Sequence, residues 1–197
     1  MEGVIASSAL FEPIEKEVFH HQMVLGRICN AWAMLDRGIN SLIGNLLQMN
    51  DAQVACLATE LDPVVARTRL LRKSVHASEM PDWWRAALTD VLNRIENQYA
   101  PLRNRCIHDS WRFRDGKHIR IDRRAFIKKV QAGQPDSLLF DLEHSMSIDE
   151  MEALIGDTLI SFLCLTGAER DIESLREKRS LSQAKSLLGI TVRAWKD

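Results

Sequence analysis

The sequence of 197 residues contains little of what interrupts helices, with only five prolines and nine glycines. Long helices are therefore expected, because these two residues most disfavour a helix interior. The chain also lacks an uninterrupted apolar run near the roughly 20 residues that a membrane-spanning helix needs. Residues 1–10 contain no basic residue and do not resemble a secretory signal peptide. We expect a water-soluble, cytoplasmic protein with no membrane partner.

Cysteine is also scarce, and none of the four cysteines lies in a Cys-x-x-Cys pair or another cluster. Scattered thiols argue against a disulfide framework and provide no metal-binding spacing, so we expect neither a metal site nor a cofactor. Three cysteines lie among apolar residues at helical spacing, which predicts buried side chains; these are Cys29, Cys56 and Cys164. The pattern leaves the environment of Cys106 open.

Charge is nearly balanced, at −1 overall, but it is unevenly distributed. Residues 101–129 contain ten Lys or Arg against three Asp, a net charge of +7 that leaves −8 for the rest of the chain. A basic segment of this kind can form an anion-binding surface. Acidic residues folded beside it could equally neutralise it, and the sequence leaves both interpretations open.

What is present is mainly helical periodicity. From about residue 13 to residue 49, apolar residues recur at three- and four-residue steps, which predicts one long helix preceded by a loose arm over residues 1–11. Asn50 or Asp51 can cap a short second helix, and Pro63 begins a third.

A further helix is predicted from Pro81 through His108, with Trp83 and Trp84 on its inward face. Pro101 lacks a backbone N–H and is expected to bend this helix near its end.

The pattern changes after this helix. Within residues 111–122, apolar and polar residues alternate around Asp115-Gly116, which predicts a β-hairpin because glycine accepts the positive φ of such turns. A short basic helix is expected within residues 123–144. Ser147 and Glu150 then form a capping box for the last long helix.

These elements predict an all-α fold, an antiparallel helical bundle with a small β-hairpin inserted after the fourth helix. One domain is expected over residues 1–179, followed by a tail over residues 180–197 that could form a short amphipathic helix.

The stretch with the most chemistry is 103–111, Arg-Asn-Arg-Cys-Ile-His-Asp-Ser-Trp. An arginine can hold a phosphate through parallel hydrogen bonds, and a histidine can exchange a proton near neutral pH. These are the groups that RNA cleavage through the 2′-hydroxyl requires. Asn104 and His108 lie four residues apart, on nearly the same side of a helix. One histidine would have to act as both acid and base, whereas a second copy of the chain would provide a second histidine.

The pattern Arg103-Asn104-x-x-x-His108 resembles the R-x4-H motif of the HEPN superfamily (higher eukaryotes and prokaryotes nucleotide-binding). The segment Trp32-Ala-x-Leu-Asp in the first helix is similar as well, and the resemblance covers about residues 15–175. It implies a homodimer with a composite site and metal-independent endoribonuclease activity, as in toxin–antitoxin and antiviral defence systems. It also implies that Arg103 stabilises the phosphate, His108 is the acid and base, and Asn104 orients the histidine or holds substrate.

The resemblance further implies RNA as a partner, with an antitoxin or a regulatory protein as a second candidate partner. The residues expected to contact RNA are Arg105, Arg112, Arg114, Lys117, Arg120, Arg123 and Arg124. Some HEPN toxins carry a tyrosine two places after the histidine, where an antitoxin modifies them. That place is Ser110 here, so this route of silencing is not expected.

Two other interpretations remain at this stage. The chain could be a non-catalytic HEPN-like subunit that binds RNA or a protein partner. Alternatively, Arg103 could pair with Glu96 or Asp109, and His108 could stabilise the helix C-terminus. Trp111-Arg-Phe-Arg suits base stacking in single-stranded RNA and a packed hairpin equally well.

Overall fold

A computed structural model describes the backbone of residues 5–61, 63–114, 117–132 and 143–187. Side chains are described for residues 16–61, 63–113, 118–122, 124–125, 127–128, 130–132 and 146–178. The helices are α1 (Ile5–Leu47), α2 (Asp51–Glu60), α3 (Val64–Ala77), α4 (Asp82–Arg94), α5 (Ala100–His108), α6 (Arg123–Gln131) and α7 (Ile148–Leu187), and the strands are β1 (Ser110–Arg114), β2 (Lys117–Ile121) and β3 (Glu143–Ser145). This confirms the predicted fold class.

The ends of the long helices differ from the prediction. Helix α1 begins at Ile5, so residues 5–11 are helical where a loose arm was expected. Helix α7 continues to Leu187, so residues 180–187 extend it and do not form a separate helix. The rest of the predicted tail, residues 188–197, lies outside the described residues.

Local hydrogen bonds explain where helices begin and end. Gln48 has a φ of 55° at the end of α1, and the Met49 N–H donates to the Gly44 carbonyl at 2.9 Å, which closes the helix. Asn50 and Gln53 then form a capping box at the start of α2. The predicted capping box between Ser147 and Glu150 is also present.

A π-helical turn, Ile95–Tyr99, lies between α4 and α5, just before Pro101, where the sequence predicted a bend. Within it, the Ala100 N–H donates to the Ile95 carbonyl, five residues back. Proline cannot donate to the regular helical ladder, so the wider turn falls next to the place where a bond is already missing. The turn changes the rotational phase of α5 relative to α4.

The predicted hairpin is present, and it belongs to a sheet of order β1-β2-β3. Strands β1 and β2 pair antiparallel from Ser110 with Ile121 to Arg114 with Lys117. The turn residues Asp115 and Gly116 lie outside the described residues. The sequence did not predict β3, which pairs antiparallel with β2, Ile119 opposite Ser145.

The chain divides into two compact units, and the single domain over residues 1–179 stays a prediction. The first unit comprises Met1–Leu35 and Arg94–Ile160, and the second comprises Asp36–Asn93 and Ser161–Asp197. Helices α1 and α7 each run through both units, because their apolar stripes are long enough to contribute to two cores. The buried core of the first unit includes Val24, Ile28, Leu35, Ile95, Tyr99, Cys106, Ile121, Met151 and Leu154. The buried core of the second includes Ile39, Leu42, Ile43, Leu71, Val75, Trp84, Leu88, Leu92 and Leu165.

Burial corrects several predictions for single side chains. Trp84 is buried as expected, but Trp83 is 69% exposed because it lies one residue out of phase with the apolar stripe of α4. The cysteine prediction was wrong at all three positions, since Cys29, Cys56 and Cys164 are exposed. Only Cys106, which the pattern left open, is a buried thiol among the four.

The segment Ile148–Lys178 is long and apolar enough to cross a membrane by length and composition alone. This is weak evidence for a membrane span, because the core helix of a water-soluble protein can pass the same test. Met151, Leu165 and Ile172 of this segment are buried against protein.

Candidate functional site

The motif residues lie on α5 in the first unit, where Arg103 is held by neighbours on two sides. Its Nη1 donates to Oδ1 of Asn104 at 3.1 Å, and its guanidinium carbon lies 5.7 Å from the centre of the Trp32 ring. Its Nε is buried and has no hydrogen-bond acceptor among the described residues. A cation above an indole face is stabilised by the ring quadrupole. Arg103 is thus fixed on α1 while it retains other N–H donors.

Asn104 and His108 are both exposed and lie four residues apart on α5. This spacing confirms that they lie on one side of a regular helix. Helix α5 ends at His108, and the Asp109 N–H closes its last turn by donating to the Arg105 carbonyl at 3.2 Å. The structure therefore presents the imidazole and the amide at a helix end accessible to solvent.

Arg120 differs from the other basic residues expected to contact RNA. Its side chain is only 7% exposed, and its Nη1 lies 2.7 Å from Oδ2 of Asp109, which is 9% exposed. Arg120 is therefore buried in an ion pair instead of lying on an exposed phosphate-binding face. The pair joins β2 to the end of α5, and the Trp111 indole adds a hydrogen bond to the Cys106 carbonyl at 2.8 Å. Both contacts fix the orientation of the helix end that carries His108.

The remaining basic residues fall into two groups. Arg105, Arg112 and Arg124 are exposed, as an RNA contact requires. The side chains of Arg114, Lys117 and Arg123 lie outside the described residues.

Asp122 partly neutralises the basic segment. Its Oδ1 accepts hydrogen bonds from the N–H groups of Arg124 and Ala125 and so caps α6. The pKa of Asp122 is lowered, chiefly by the hydrogen bond from Ala125, with smaller contributions from the Arg124 N–H and from the charges of Arg120 and Arg105.

Cys106 is a buried residue of the motif segment, and its surroundings make the thiol unreactive. It is 1% exposed, and its thiol donates to Sδ of Met146 at 3.6 Å. Burial raises the pKa of the Cys106 thiol to about 11. A thiolate is the nucleophilic form, so this cysteine stays protonated near neutral pH and contributes packing.

Sequence reasoning missed a histidine cluster on the same unit. The rings of His21 and His118 are stacked, with centroids 4.2 Å apart and planes inclined by 10°. Trp111 meets His21 edge-on at 4.4 Å, and Phe113 lies 5.0 Å from His118. Both histidine Nε2 atoms are buried and have no hydrogen-bond partner in the described part of the chain. The sequence shows His20 and His21 side by side, but it does not show that His118 of β2 stacks on His21.

Burial determines the protonation of this cluster. Burial, with smaller contributions from the charges of His118 and His20, lowers the pKa of His21 to about 4. Burial also lowers the pKa of His118, against an opposing effect of Glu17. Both rings are therefore neutral near pH 7 and act as aromatic packing between α1 and the hairpin.

Over the described residues, no group of three or more His, Cys, Asp or Glu side chains could hold a metal ion. No family model matches the chain, and comparisons with curated proteins and with solved structures found no significant match.

Proposed function

We propose that the protein is a metal-independent endoribonuclease that acts as a cytoplasmic homodimer with a composite site, as a toxin or phage-defence effector. The observation that carries the proposal is the arrangement on α5. Asn104 and His108 are exposed on one side of the helix end, and Arg103 is anchored beside them by Trp32 and Asn104. The resemblance of this motif to the R-x4-H pattern of HEPN ribonucleases supports the same function.

The reaction requires a base, an acid and a group that stabilises the phosphorane, all at one phosphodiester. A base removes the proton of the 2′-hydroxyl, the 2′-oxygen attacks phosphorus, and the bond from phosphorus to the 5′-oxygen breaks as an acid protonates that oxygen. The products are a 2′,3′-cyclic phosphate and a 5′-hydroxyl. In the proposed site, His108 exchanges the protons and Arg103 stabilises the phosphorane oxygens.

Arg103 can serve in this way while staying anchored. A guanidinium carries five N–H donors, and one of them is engaged with Asn104. Asn104 in turn fixes the orientation of the guanidinium, so it acts on Arg103 as well as on substrate. This extends the role that the motif alone suggested for Asn104.

The need for acid and base at opposite sides of the phosphorus favours two copies of His108. A two-fold axis places the same surface of each chain in contact, so one cleft can receive both motifs. When wild-type protein is mixed with an excess of His108→Ala subunits, the fraction of activity that remains should be smaller than the fraction of wild-type subunits in the mixture. Activity that follows this share linearly would count against a composite site.

The direct test is incubation of purified protein with mixed RNA in EDTA. Wild-type protein should leave 2′,3′-cyclic phosphate ends, and His108→Ala should abolish them while its circular dichroism spectrum stays unchanged. His76 is an exposed histidine on α3 in the second unit, and His76→Ala is the matched control that should retain full activity. Intact RNA after long incubation, at a protein concentration that ensures dimers, would contradict the proposal.

Arg103 can be tested apart from its charge. Arg103→Lys keeps one positive charge but loses the planar fork, so cleavage should fall about 100-fold or more, the scale of removing one transition-state donor. Arg170→Lys, at an exposed position on α7, is the matched control.

The second candidate function is a non-catalytic RNA-binding or protein-interaction subunit. The exposed side chains of Arg105, Arg112 and Arg124 favour it, because they provide phosphate contacts that do not depend on His108. This alternative predicts salt-sensitive retention of RNA with no products, unchanged by His108→Ala.

A further inference from the structure

The first unit contains a cavity of about 350 Å³ that the proposed chemistry does not use. Leu102 and Arg105 of α5 form one part of its lining, and Glu150 and Asp157 of α7 form another, with Arg120 of β2 between them in sequence. Small-molecule pockets span roughly 300–1,000 Å³, so this cavity suits a ligand of about the size of one nucleotide.

The polar groups in the lining are built into the fold. Arg120 is more than nine-tenths buried and is held by Asp109, and its Nε is buried without an acceptor among the described residues. Glu150 is oriented by the capping box, because its Oε2 accepts from the N–H and hydroxyl of Ser147 at 2.7 and 3.2 Å. Arg105 is exposed and adds a second guanidinium. Arg120 and Glu150 are therefore oriented before any ligand arrives.

The lining combines two guanidiniums with two carboxylates, and this determines what it can accept. A simple anion would be repelled by Glu150 and Asp157, and a simple cation by the arginines. A ligand that pairs with both kinds of group would present adjacent donors and adjacent acceptors on one rigid frame. It must also have apolar faces, because Leu102 and Met146 line the same cavity.

Among nucleobases, guanine has this pattern. Its N1–H and 2-amino group donate side by side, and its O6 and N7 accept side by side from a guanidinium. Adenine offers a ring acceptor beside its amino group, and cytosine and uracil each present two acceptors with one donor group. We infer that the cavity between α5 and α7 is a guanine-binding site, in which Glu150 or Asp157 accepts from the base and Arg105 and Arg120 donate to it.

This inference deepens the proposed ribonuclease and, for its RNA arm, rests on it. Leu102 and Arg105 flank Arg103 and Asn104 on α5, so one helix segment contributes to both the cavity and the motif. A guanine unstacked from an RNA strand and bound in the cavity would fix the position of a neighbouring phosphate. The protein would then cut preferentially beside guanine.

The first arm measures binding of free mononucleotides by isothermal titration calorimetry and by NMR shifts of the lining residues. Guanosine 5′-monophosphate should bind about tenfold more tightly than inosine 5′-monophosphate, which lacks the 2-amino group, and more tightly than the adenosine and cytidine equivalents. Equal binding of all four, or no saturable shifts at the lining, would overturn the inference.

Three variants locate the site. Glu150→Gln retains the capping box, since glutamine also serves in it, and Asp157→Asn is close to isosteric. At least one of the two should weaken guanosine monophosphate about fivefold or more. Asp149→Asn removes the same charge from the adjacent exposed position and should change nothing. Undiminished binding in both lining variants would overturn the inference.

The second arm uses RNA with guanosine or inosine at one position and maps the cleaved bonds. Replacing guanosine by inosine should reduce cleavage beside that position by about tenfold, and the lining variants should lose the preference while retaining His108-dependent cleavage. Cleavage without any preference for guanine refutes the guanine site within RNA and leaves the ribonuclease intact. Guanine binding in a protein that never cuts RNA refutes the ribonuclease and leaves the site.

Discussion

Replacing His21 by phenylalanine should make the stability of the protein less sensitive to acid. The buried ring of His21 stacks on His118 at 4.2 Å and meets Trp111 edge-on at 4.4 Å, so an aromatic replacement preserves the packing. It removes the titrating group and the unpartnered Nε2. His21→Phe therefore separates protonation from packing in this cluster.

The sign follows from the lowered pKa. His21 titrates with a pKa of 6.5 in the unfolded chain and of about 4 in the folded protein. Between these values the unfolded state binds more protons, so stability falls as the pH decreases from about 6.5 towards 4. One pKa unit corresponds to about 1.4 kcal/mol, and the loss due to His21 by pH 4 is therefore about 3 kcal/mol. His118, whose pKa is also lowered, adds a loss in the same direction.

The assay is urea unfolding of both proteins, monitored by circular dichroism, at several pH values from 7 to 4. The free energy of unfolding of wild-type protein should fall by about 3 kcal/mol more than that of His21→Phe over this range. His76→Phe, at an exposed histidine of α3, is the control and should follow the wild type. NMR titration of the His21 imidazole in the folded protein supplies an independent value.

Two results would refute the reasoning. One is an equal loss of stability in wild type and His21→Phe. The other is an imidazole signal from His21 that titrates near 6.5 in folded protein, which would mean that the ring is solvated and that burial does not control its pKa.

Three further predictions concern the surroundings of the motif. Arg120→Met should lower the free energy of unfolding by about 3 kcal/mol, because the buried Asp109 carboxylate then loses its ion pair with Arg120. Urea unfolding measures this, and Arg124→Met, at an exposed position, should change the free energy of unfolding by less than about 0.5 kcal/mol. In the proposed ribonuclease, Trp32→Leu should weaken the contact that positions Arg103 and should reduce cleavage more than it reduces RNA binding. Equal losses in both assays would contradict a positioning role. Iodoacetamide at pH 8 should label every exposed thiol and spare Cys106 in folded protein, as mass spectrometry would record, and rapid labelling of Cys106 would contradict its burial. The thiols expected to react are Cys29, Cys56 and Cys164.

The chain by itself determined the features that depend on neighbours in sequence. Asn50 with Gln53, and Ser147 with Glu150, form their capping boxes from residues three apart. The hairpin over 110–121 follows from alternation around a two-residue turn, and the apolar stripe of α1 follows from its 3.6-residue period. The Arg103-Asn104-x-x-x-His108 motif was visible for the same reason, since its geometry lies within one helix.

Tertiary structure alone decided which of these residues are buried and what they meet. His118 reaches His21 from a position 97 residues away in sequence, and β3 pairs with a strand more than 20 residues before it. Arg120 looks like its basic neighbours in sequence, yet its side chain is buried and forms an ion pair with Asp109. The predicted burial of Trp83 and of three cysteines was wrong, because an apolar residue in a helix need not lie on the side that packs against other elements. Such contacts depend on chain segments distant in sequence, and no local pattern encodes which segments those are.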